Sequence, residues 1–257
     1  MKRILFIAAD FLRSFLRFIL NVLFGESECI CCSKKSYGGG ICKSCAEKLL
    51  YAAAADFFAV TRCTVCGKIL LSEENLCMTC RESPVIKSAD FVFPILPYRL
   101  WAKNLLTAWK LGGHRELSSV FARTLHIAIQ NQDGMKDSVI VPVPPRPGKI
   151  KKNGWDQIDE ICTFMHYKYR YRVFKLLERI SRTQQKKLNR EGRLSSMGSV
   201  YVLSELCKKM GSINQLPSSV ILVDDVMTTG ATVESCAFLL KECGISKINI
   251  LTLFIVD

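Results

Sequence analysis

Short apolar segments separated by amphipathic segments organise the chain after residue 90. Residues 90–94, 138–141, 199–203, 220–223 and 247–256 are largely apolar, which predicts strands. Residues 101–110, 116–130 and 229–243 place apolar side chains at three- and four-residue spacing, which predicts helices. Strands that alternate with helices after residue 135 predict an α/β fold, a doubly wound parallel sheet flanked by helices.

An amphipathic segment opens the chain. In residues 1–24 the polar side chains recur at three- and four-residue spacing and leave a wide apolar face, the polar positions being Asp10, Arg13, Ser14, Arg17 and Asn21. These charges interrupt every run long enough to span a bilayer, and the apolar run 4–9 is too short for a signal peptide. The predicted helix either packs on the rest of the protein or docks on the cytoplasmic face of the inner membrane.

The segment 220–232 combines a strand, two acidic residues and a glycine turn. Residues 220–223 predict a strand buried on both faces, and Asp224 and Asp225 follow where that strand ends. Open α/β sheets bind ligands at this carboxyl edge. Residues 228–232 then offer backbone N–H groups, hydroxyls and a glycine at a helix N-terminus, which suits a phosphate group. The other interpretation is an ordinary strand-to-helix turn.

Two further segments carry candidate anion ligands. The strand 138–141 runs into a proline-stiffened turn that contains Arg146. Lys110, His114 and Arg115 lie at the end of a predicted helix, where they either reach an anion or are ordinary surface residues.

Cysteine spacing predicts metal sites. Eight of the 13 cysteines form four C-x-x-C pairs before residue 81, and four thiolates saturate one tetrahedral Zn²⁺. Local pairing predicts two closed zinc sites, with an iron–sulfur cluster as the alternative, from Cys29, Cys32, Cys42, Cys45, Cys63, Cys66, Cys77 and Cys80. Cys31 could replace a neighbouring ligand. So many thiolates imply a reducing compartment, and we expect a cytoplasmic protein.

Positive charge is concentrated in residues 146–193, which hold 14 Lys/Arg against 5 Asp/Glu and so supply +9 of the formal +13. Basic residues interleaved with aromatic ones suit single-stranded nucleic acid. The alternative is an amphipathic helix and strand whose aromatic side chains face inward, and the loop 182–193 could instead close over a diphosphate. The candidate nucleic-acid ligands are Lys151, Lys152, Trp155, Arg182, Lys186, Lys187, Arg190 and Arg193.

The strand, acid pair and TTGAT turn resemble the ribose-phosphate signature of type I phosphoribosyltransferases. Together with the four cysteine pairs, the strand into Val141-Pro142-Val143-Pro144 and the element 153–157, they make nearly the whole chain similar to the ComF family of competence proteins. The resemblance implies an amphipathic helix (1–25), a double zinc-ribbon module (26–85) and a phosphoribosyltransferase-like domain (86–257). The chain has Asn153 and Asp156 where the family has arginine and asparagine, and Lys151 or Lys152 is then expected to supply the missing charge.

The same resemblance implies a ligand and a role. It implies that Asp224 and Asp225 hold the ribose hydroxyls of phosphoribosyl diphosphate with Mg²⁺, and that the loop after the strand 138–141 receives the diphosphate. It implies a ribose- and phosphate-binding set made of Met227, Thr228, Thr229, Gly230, Ala231, Thr232 and Arg146 around the two acids. The implied role is the handling of incoming single-stranded DNA during natural transformation, beside an uptake helicase and a recombination mediator.

Two other functions remain open from the sequence. One is an active phosphoribosyltransferase on a nucleobase or amine, with Asp224 and Asp225 as catalytic residues. No base-recognition segment and no glutaminase segment is identifiable for it. The other is a nucleic-acid-binding regulator that senses phosphoribosyl diphosphate.

Overall fold

The apolar segments of the sequence form the sheet that the pattern predicts. A computed structural model of the protein describes residues 2–24, 27–36, 40–54, 60–150, 154–180 and 200–256. The helices are α1 (Lys2–Phe24), α2 (Lys43–Ala54), α3 (Met78–Glu82), α4 (Leu100–Lys110), α5 (Leu117–Gln130), α6 (Gln157–Tyr167), α7 (Glu205–Ser212) and α8 (Ala231–Glu242). The strands are β1 (Ser27–Glu28), β2 (Lys35–Ser36), β3 (Phe91–Pro97), β4 (Val139–Pro142), β5 (Leu177–Arg179), β6 (Tyr201–Leu203), β7 (Ser219–Met227) and β8 (Lys247–Ile255).

A four-stranded parallel sheet in the order β3-β8-β7-β4 forms the centre of the fold. Side chains of β7 alternate between its two faces, and residues 220–223 are all buried. Ile221 and Val223 pack with the cluster that contains Trp109 and Phe121 of α4 and α5, whereas Val220 and Leu222 pack with α8. Each such aliphatic side chain contributes about 1.5–3 kcal/mol by its burial. Helices therefore cover both faces, and the predicted α/β class is confirmed.

The chain leaves β4 and β7 in opposite directions. From β4 it passes through α6 to Val173, which forms a parallel bridge with Ile140 on the outer side of β4. From β7 it passes through α8 to β8, on the other side of β7. The carboxyl ends of β4 and β7 thus form a topological switch point, where open α/β sheets leave a crevice.

Strand β7 is longer than the sequence pattern predicts. The prediction ended the strand before Asp224, but the ladder with β8 continues through Asp224 to Met227. On the β4 side the ladder does end at Val223, whose carbonyl accepts from Val143 N (3.0 Å). The next two residues of that segment are prolines, which have no N–H to donate, so the two chains separate there. The part of β7 that carries Asp224 and Asp225, the acidic pair, is consequently hydrogen-bonded to β8 on one side and separated from the β4 segment on the other.

Helix α1 packs against α6 through part of its surface. Phe6 stacks on Tyr167 with ring centroids 5.1 Å apart and meets Phe164 edge-on, and Arg3 donates to the Tyr167 carbonyl (2.8 Å). Leu5 and Leu12 on the same helix remain exposed. Packing on the protein, one of the two predicted alternatives, therefore accounts for one side of the helix. Within the described residues, none of the helices combines the length and apolarity needed to cross a bilayer.

Candidate functional site

Two cysteine clusters have the composition and size of tetrahedral zinc sites. The thiols of each set lie within 4.8 Å of one another, the sets being Cys29, Cys32, Cys42 and Cys45, and Cys63, Cys66, Cys77 and Cys80. Sulfur ligands at 2.3 Å from a tetrahedral zinc ion lie about 3.8 Å apart. The structure has 3.7 Å between the sulfurs of Cys32 and Cys42 and 3.8 Å between those of Cys66 and Cys77. The residues therefore fit zinc, in the predicted pairing, and Cys31 lies outside the set of four.

The two clusters repeat one local structure. In each, the N–H of the first cysteine donates to the carbonyl five residues later, and the N–H four residues later donates back to that cysteine. The residue that donates back has a left-handed backbone in both turns, Ser33 at φ 57° and Gly67 at φ 70°. The second C-x-x-C pair of each set begins a helix, α2 or α3. The equivalent turn position is therefore Ser33 in the first cluster and Gly67 in the second.

The second cluster is joined to the edge of the central sheet by a buried arginine. Arg62 donates to the carbonyls of Gly67 (2.9 Å) and Pro94 (3.0 Å) and lies 4.6 Å from the centre of the Phe93 ring. Burial lowers the pKa of this guanidinium to about 10. A Cβ on Gly67 would lie 2.4 Å from the carbonyl oxygen of Val92, so the turn and β3 touch backbone to backbone.

A cleft of about 670 Å³ opens at the switch point between β4 and β7. Asp224, Asp225, Thr232 and Arg146 all line it, so four of the predicted ligands meet there. The remaining walls are the proline loop after β4, the start of α6, the end of α4 and the pair β5–β6. The cleft is therefore built from segments far apart in the chain.

The acidic pair is electrostatically strained. Burial and the neighbouring Asp225 carboxylate raise the pKa of Asp224 to about 8. The Asp224 Oδ1 atom accepts from Asp225 N (2.8 Å), which opposes that shift only in part. Asp225 is paired with the Lys110 ammonium at 2.6 Å. Two adjacent carboxylates in a low-dielectric site favour a bound cation.

Four cationic side chains line the same cleft as these acids. The lining includes Lys110, Arg146, Lys149 and Arg179, against three carboxylates, those of Asp156 and the acidic pair. This mixture suits a ligand that carries both a divalent cation and several phosphoryl oxygens.

The start of α6 is held by Asp156, one of the two positions where the sequence departs from the pattern that it resembles. Asp156 caps the helix by accepting from Ile158 N and Asp159 N, each at 3.0 Å. The ammonium of Lys149 lies 2.7 Å from Asp156 and also bonds to Gln157. Lys149 thus brings a positive charge to this element, whereas Lys151 and Lys152, which were expected to do so, lie outside the described residues.

The residues of the predicted phosphate-binding turn, 228–232, do not all face the same cavity. Gly230 precedes α8 with φ 84°, a conformation that favours glycine. Thr232 faces the main cleft, whereas Met227, Thr228, Thr229 and Gly230 line a smaller cavity of about 80 Å³ beside the second cysteine cluster. Ala231 is exposed at the first turn of α8.

Among the predicted nucleic-acid ligands, the structure describes Trp155. Its ring lies half-buried against Trp109, with Arg115 5.1 Å from its centre. The other candidates outside the described residues are Arg182, Lys186, Lys187, Arg190 and Arg193. Lys149, Arg179 and Tyr201 line the cleft although the sequence did not indicate them, and Lys110, for which the sequence left an anion site and the surface open, lines it too. Their contacts join segments whose separation in the chain gives no local signal.

Comparison with protein-family models finds none that matches this chain. Two curated relatives are similar to it. Competence protein ComFC of Streptococcus pneumoniae (strain ATCC BAA-255 / R6) is 24% identical over 159 residues, 62% of this chain and 66% of the relative. Competence protein ComFC of Bacillus subtilis (strain 168) is 24% identical over 207 residues, 77% of this chain and 80% of the relative.

The chain thus spans just under two thirds of the first relative and four fifths of the second. Both relatives carry the family name that the cysteine pairs and the acidic signature predicted. The two relatives, the paired cysteine clusters and the parallel sheet together confirm the resemblance of this chain to the ComF family.

Proposed function

We propose that the protein handles incoming single-stranded DNA in natural transformation and holds phosphoribosyl diphosphate with Mg²⁺ in its cleft. The main support for this ligand is that Asp224, Asp225, Arg146 and Thr232 all line one cleft at the switch point. The competence role rests on the two relatives, both of which are named competence protein ComFC.

Each part of the proposed ligand has residues of matching chemistry. Asp224 and Asp225 would hold the ribose hydroxyls and the metal, because carboxylate oxygens are the protein ligands that Mg²⁺ prefers. The N-terminus of α8, with Thr232 in its first turn, would hold the 5′-phosphate. Arg146 and Lys149 would hold the diphosphate. When bound, Mg²⁺ would neutralise charge on the diphosphate.

The proposed nucleic-acid role is supported by the net charge of the chain. A formal charge of +13 favours polyanions, and much of it lies in residues 146–193. The proposed location is the cytoplasm, with the uptake helicase and the recombination mediator as partners and peripheral contact with the inner membrane through the exposed side of α1.

Single-strand DNA binding measured against salt concentration tests this role. We expect the affinity to fall steeply as salt increases, because each phosphate contact releases condensed counter-ions. A matched duplex of the same length is the control for strand preference. Absence of binding even at low salt would contradict the DNA-handling proposal.

A second candidate, phosphoribosyl transfer, is favoured by one specific observation. The raised pKa of Asp224 in a cleft is typical of functional sites. In such a reaction the bond from ribose C1 to the diphosphate breaks and a bond to an acceptor nitrogen forms. Isotope-labelled phosphoribosyl diphosphate incubated with nucleobases and amines tests it, and label that is never transferred would leave the cleft as a binding site.

In a third candidate the ligand regulates nucleic-acid binding. The cleft and the basic segment 146–193 share Arg146, Lys149 and Arg179, so a bound diphosphate would change the charge that DNA meets. DNA affinity measured with and without phosphoribosyl diphosphate tests this, and an unchanged affinity would argue against coupling.

A further inference from the structure

Lys110, which is far from the acidic pair in the chain, forms an ion pair with Asp225. It is the last residue of α4, and its ammonium lies 2.6 Å from Asp225 Oδ2. The exposed fractions of the two side chains are 32% and 15%, so the contact is largely sheltered at the edge of the cleft. A positively charged group therefore already stands at the carboxylates that would hold a divalent cation.

The backbone that carries Lys110 is fixed, whereas its ammonium is on a flexible stem. The N–H groups of Leu111 and Gly112 both donate to the Thr107 carbonyl, which closes the end of α4. A Cβ on Gly112 would lie 2.7 Å from the carbonyl oxygen of Ala108, so the turn is closely packed. Movement of the charge is consequently a rotation of four methylene groups, with no hinge in the helix.

We propose that Lys110 is a displaceable counter-ion that couples binding of the cation to binding of the diphosphate. A divalent cation alone has to displace the ammonium from Asp225 and leave it without an anion. A diphosphate alone is repelled by the carboxylates of the acidic pair. When both bind, the cation takes the carboxylates and the released ammonium pairs with the diphosphate, so each ion strengthens the other. This inference rests on the proposed ligand and adds to it the order of charge exchange.

Substitution of Lys110 by methionine should change the two affinities in opposite directions, with the cation bound more tightly and the diphosphate more weakly. Mn²⁺ alone is the first probe, counted by the electron paramagnetic resonance signal of the free ion with zinc retained in the cysteine clusters. Thiolates are soft ligands and do not compete for this hard cation. We expect Lys110→Met to bind Mn²⁺ about tenfold more tightly than the wild type, because one positive charge near the carboxylates is gone. Lys103→Met is the control, an exposed lysine on the same helix whose loss should change nothing.

The second probe is phosphoribosyl diphosphate at saturating Mg²⁺, measured by calorimetry. Lys110→Met should bind it about tenfold more weakly, because an ammonium–phosphate contact is lost. Lys110→Arg keeps the charge, so its affinities for Mn²⁺ and for phosphoribosyl diphosphate should both stay closer to those of the wild type. A purely structural lysine would change both affinities in the same direction or leave both unchanged.

The outcomes distinguish this inference from the proposed function. Unchanged or weaker Mn²⁺ binding by Lys110→Met, in protein whose thermal unfolding matches that of Lys110→Arg, would overturn the counter-ion role. Absence of phosphoribosyl diphosphate binding by the wild type would overturn the proposed ligand, while the Mn²⁺ comparison would still decide the counter-ion role.

Discussion

Replacing Asp224 by asparagine should stabilise the folded protein. The pKa of Asp224 is raised from 3.8 to about 8, so the folded state holds this proton more tightly than the unfolded chain does. The stability that the proton provides is complete below pH 3.8 and is lost as the pH rises toward 8. Because part of the Asp224 side chain reaches solvent, we expect its ionisation to lower the free energy of unfolding by only about 2–4 kcal/mol at pH 8. Asparagine cannot ionise, and its Oδ1 can still accept from Asp225 N.

Urea unfolding followed by tryptophan fluorescence, to which the buried Trp109 contributes, measures this difference. The free energy of unfolding of Asp224→Asn should exceed that of the wild type, and the excess should grow between about pH 5 and pH 8. Asp133→Asn, which removes an exposed carboxylate, is the control and should change the free energy by less than about 0.5 kcal/mol. An excess that is absent, or that does not depend on pH, would refute the electrostatic description of the acidic pair.

Three further predictions concern the cysteine clusters and α1. Gly67→Ala should cost at least about 2 kcal/mol more than Gly113→Ala in thermal or urea unfolding, because both backbones have positive φ but only the first methyl group meets a strand carbonyl at 2.4 Å. Cys32→Ser should lower the zinc content by one ion per chain in elemental analysis, whereas Cys236→Ser should not; equal losses would contradict the ligand sets. Phe6→Ala should cost about 1–2 kcal/mol if α1 packs on α6 in solution, and an unchanged unfolding free energy would show that it does not.

The metal clusters and the acidic pair could be predicted because their signals are local. Two C-x-x-C pairs define each set of four cysteines by spacing, and an apolar run followed by Asp224 and Asp225 indicates a strand that carries an acidic pair. The repeated turn has a local signal in one copy only, since the residue with positive φ is Gly67 in the second cluster but Ser33 in the first. A short polar side chain at this position hides the turn from a search for glycine.

The cleft itself could not be predicted in full because its walls depend on tertiary packing. The contact between Lys110 and Asp225 joins the end of α4 to β7, two elements far apart in the chain, and no spacing in the sequence indicates it. The extent of β7 was missed for a related reason. Its last residues are held by β8, and the length of that ladder is a property of the pair of strands, not of either sequence alone.

Calorimetric titration with phosphoribosyl diphosphate in the presence of Mg²⁺ tests the central claim most directly. We expect the wild type to bind one molecule per chain, and Asp225→Asn to bind more than about tenfold less tightly, because a charged ligand group in the cleft is removed. Ribose 5-phosphate, which lacks the diphosphate, should bind more weakly than the complete ligand. Failure of the wild type to bind, or an affinity that Asp225→Asn leaves unchanged, would contradict the assignment of the cleft.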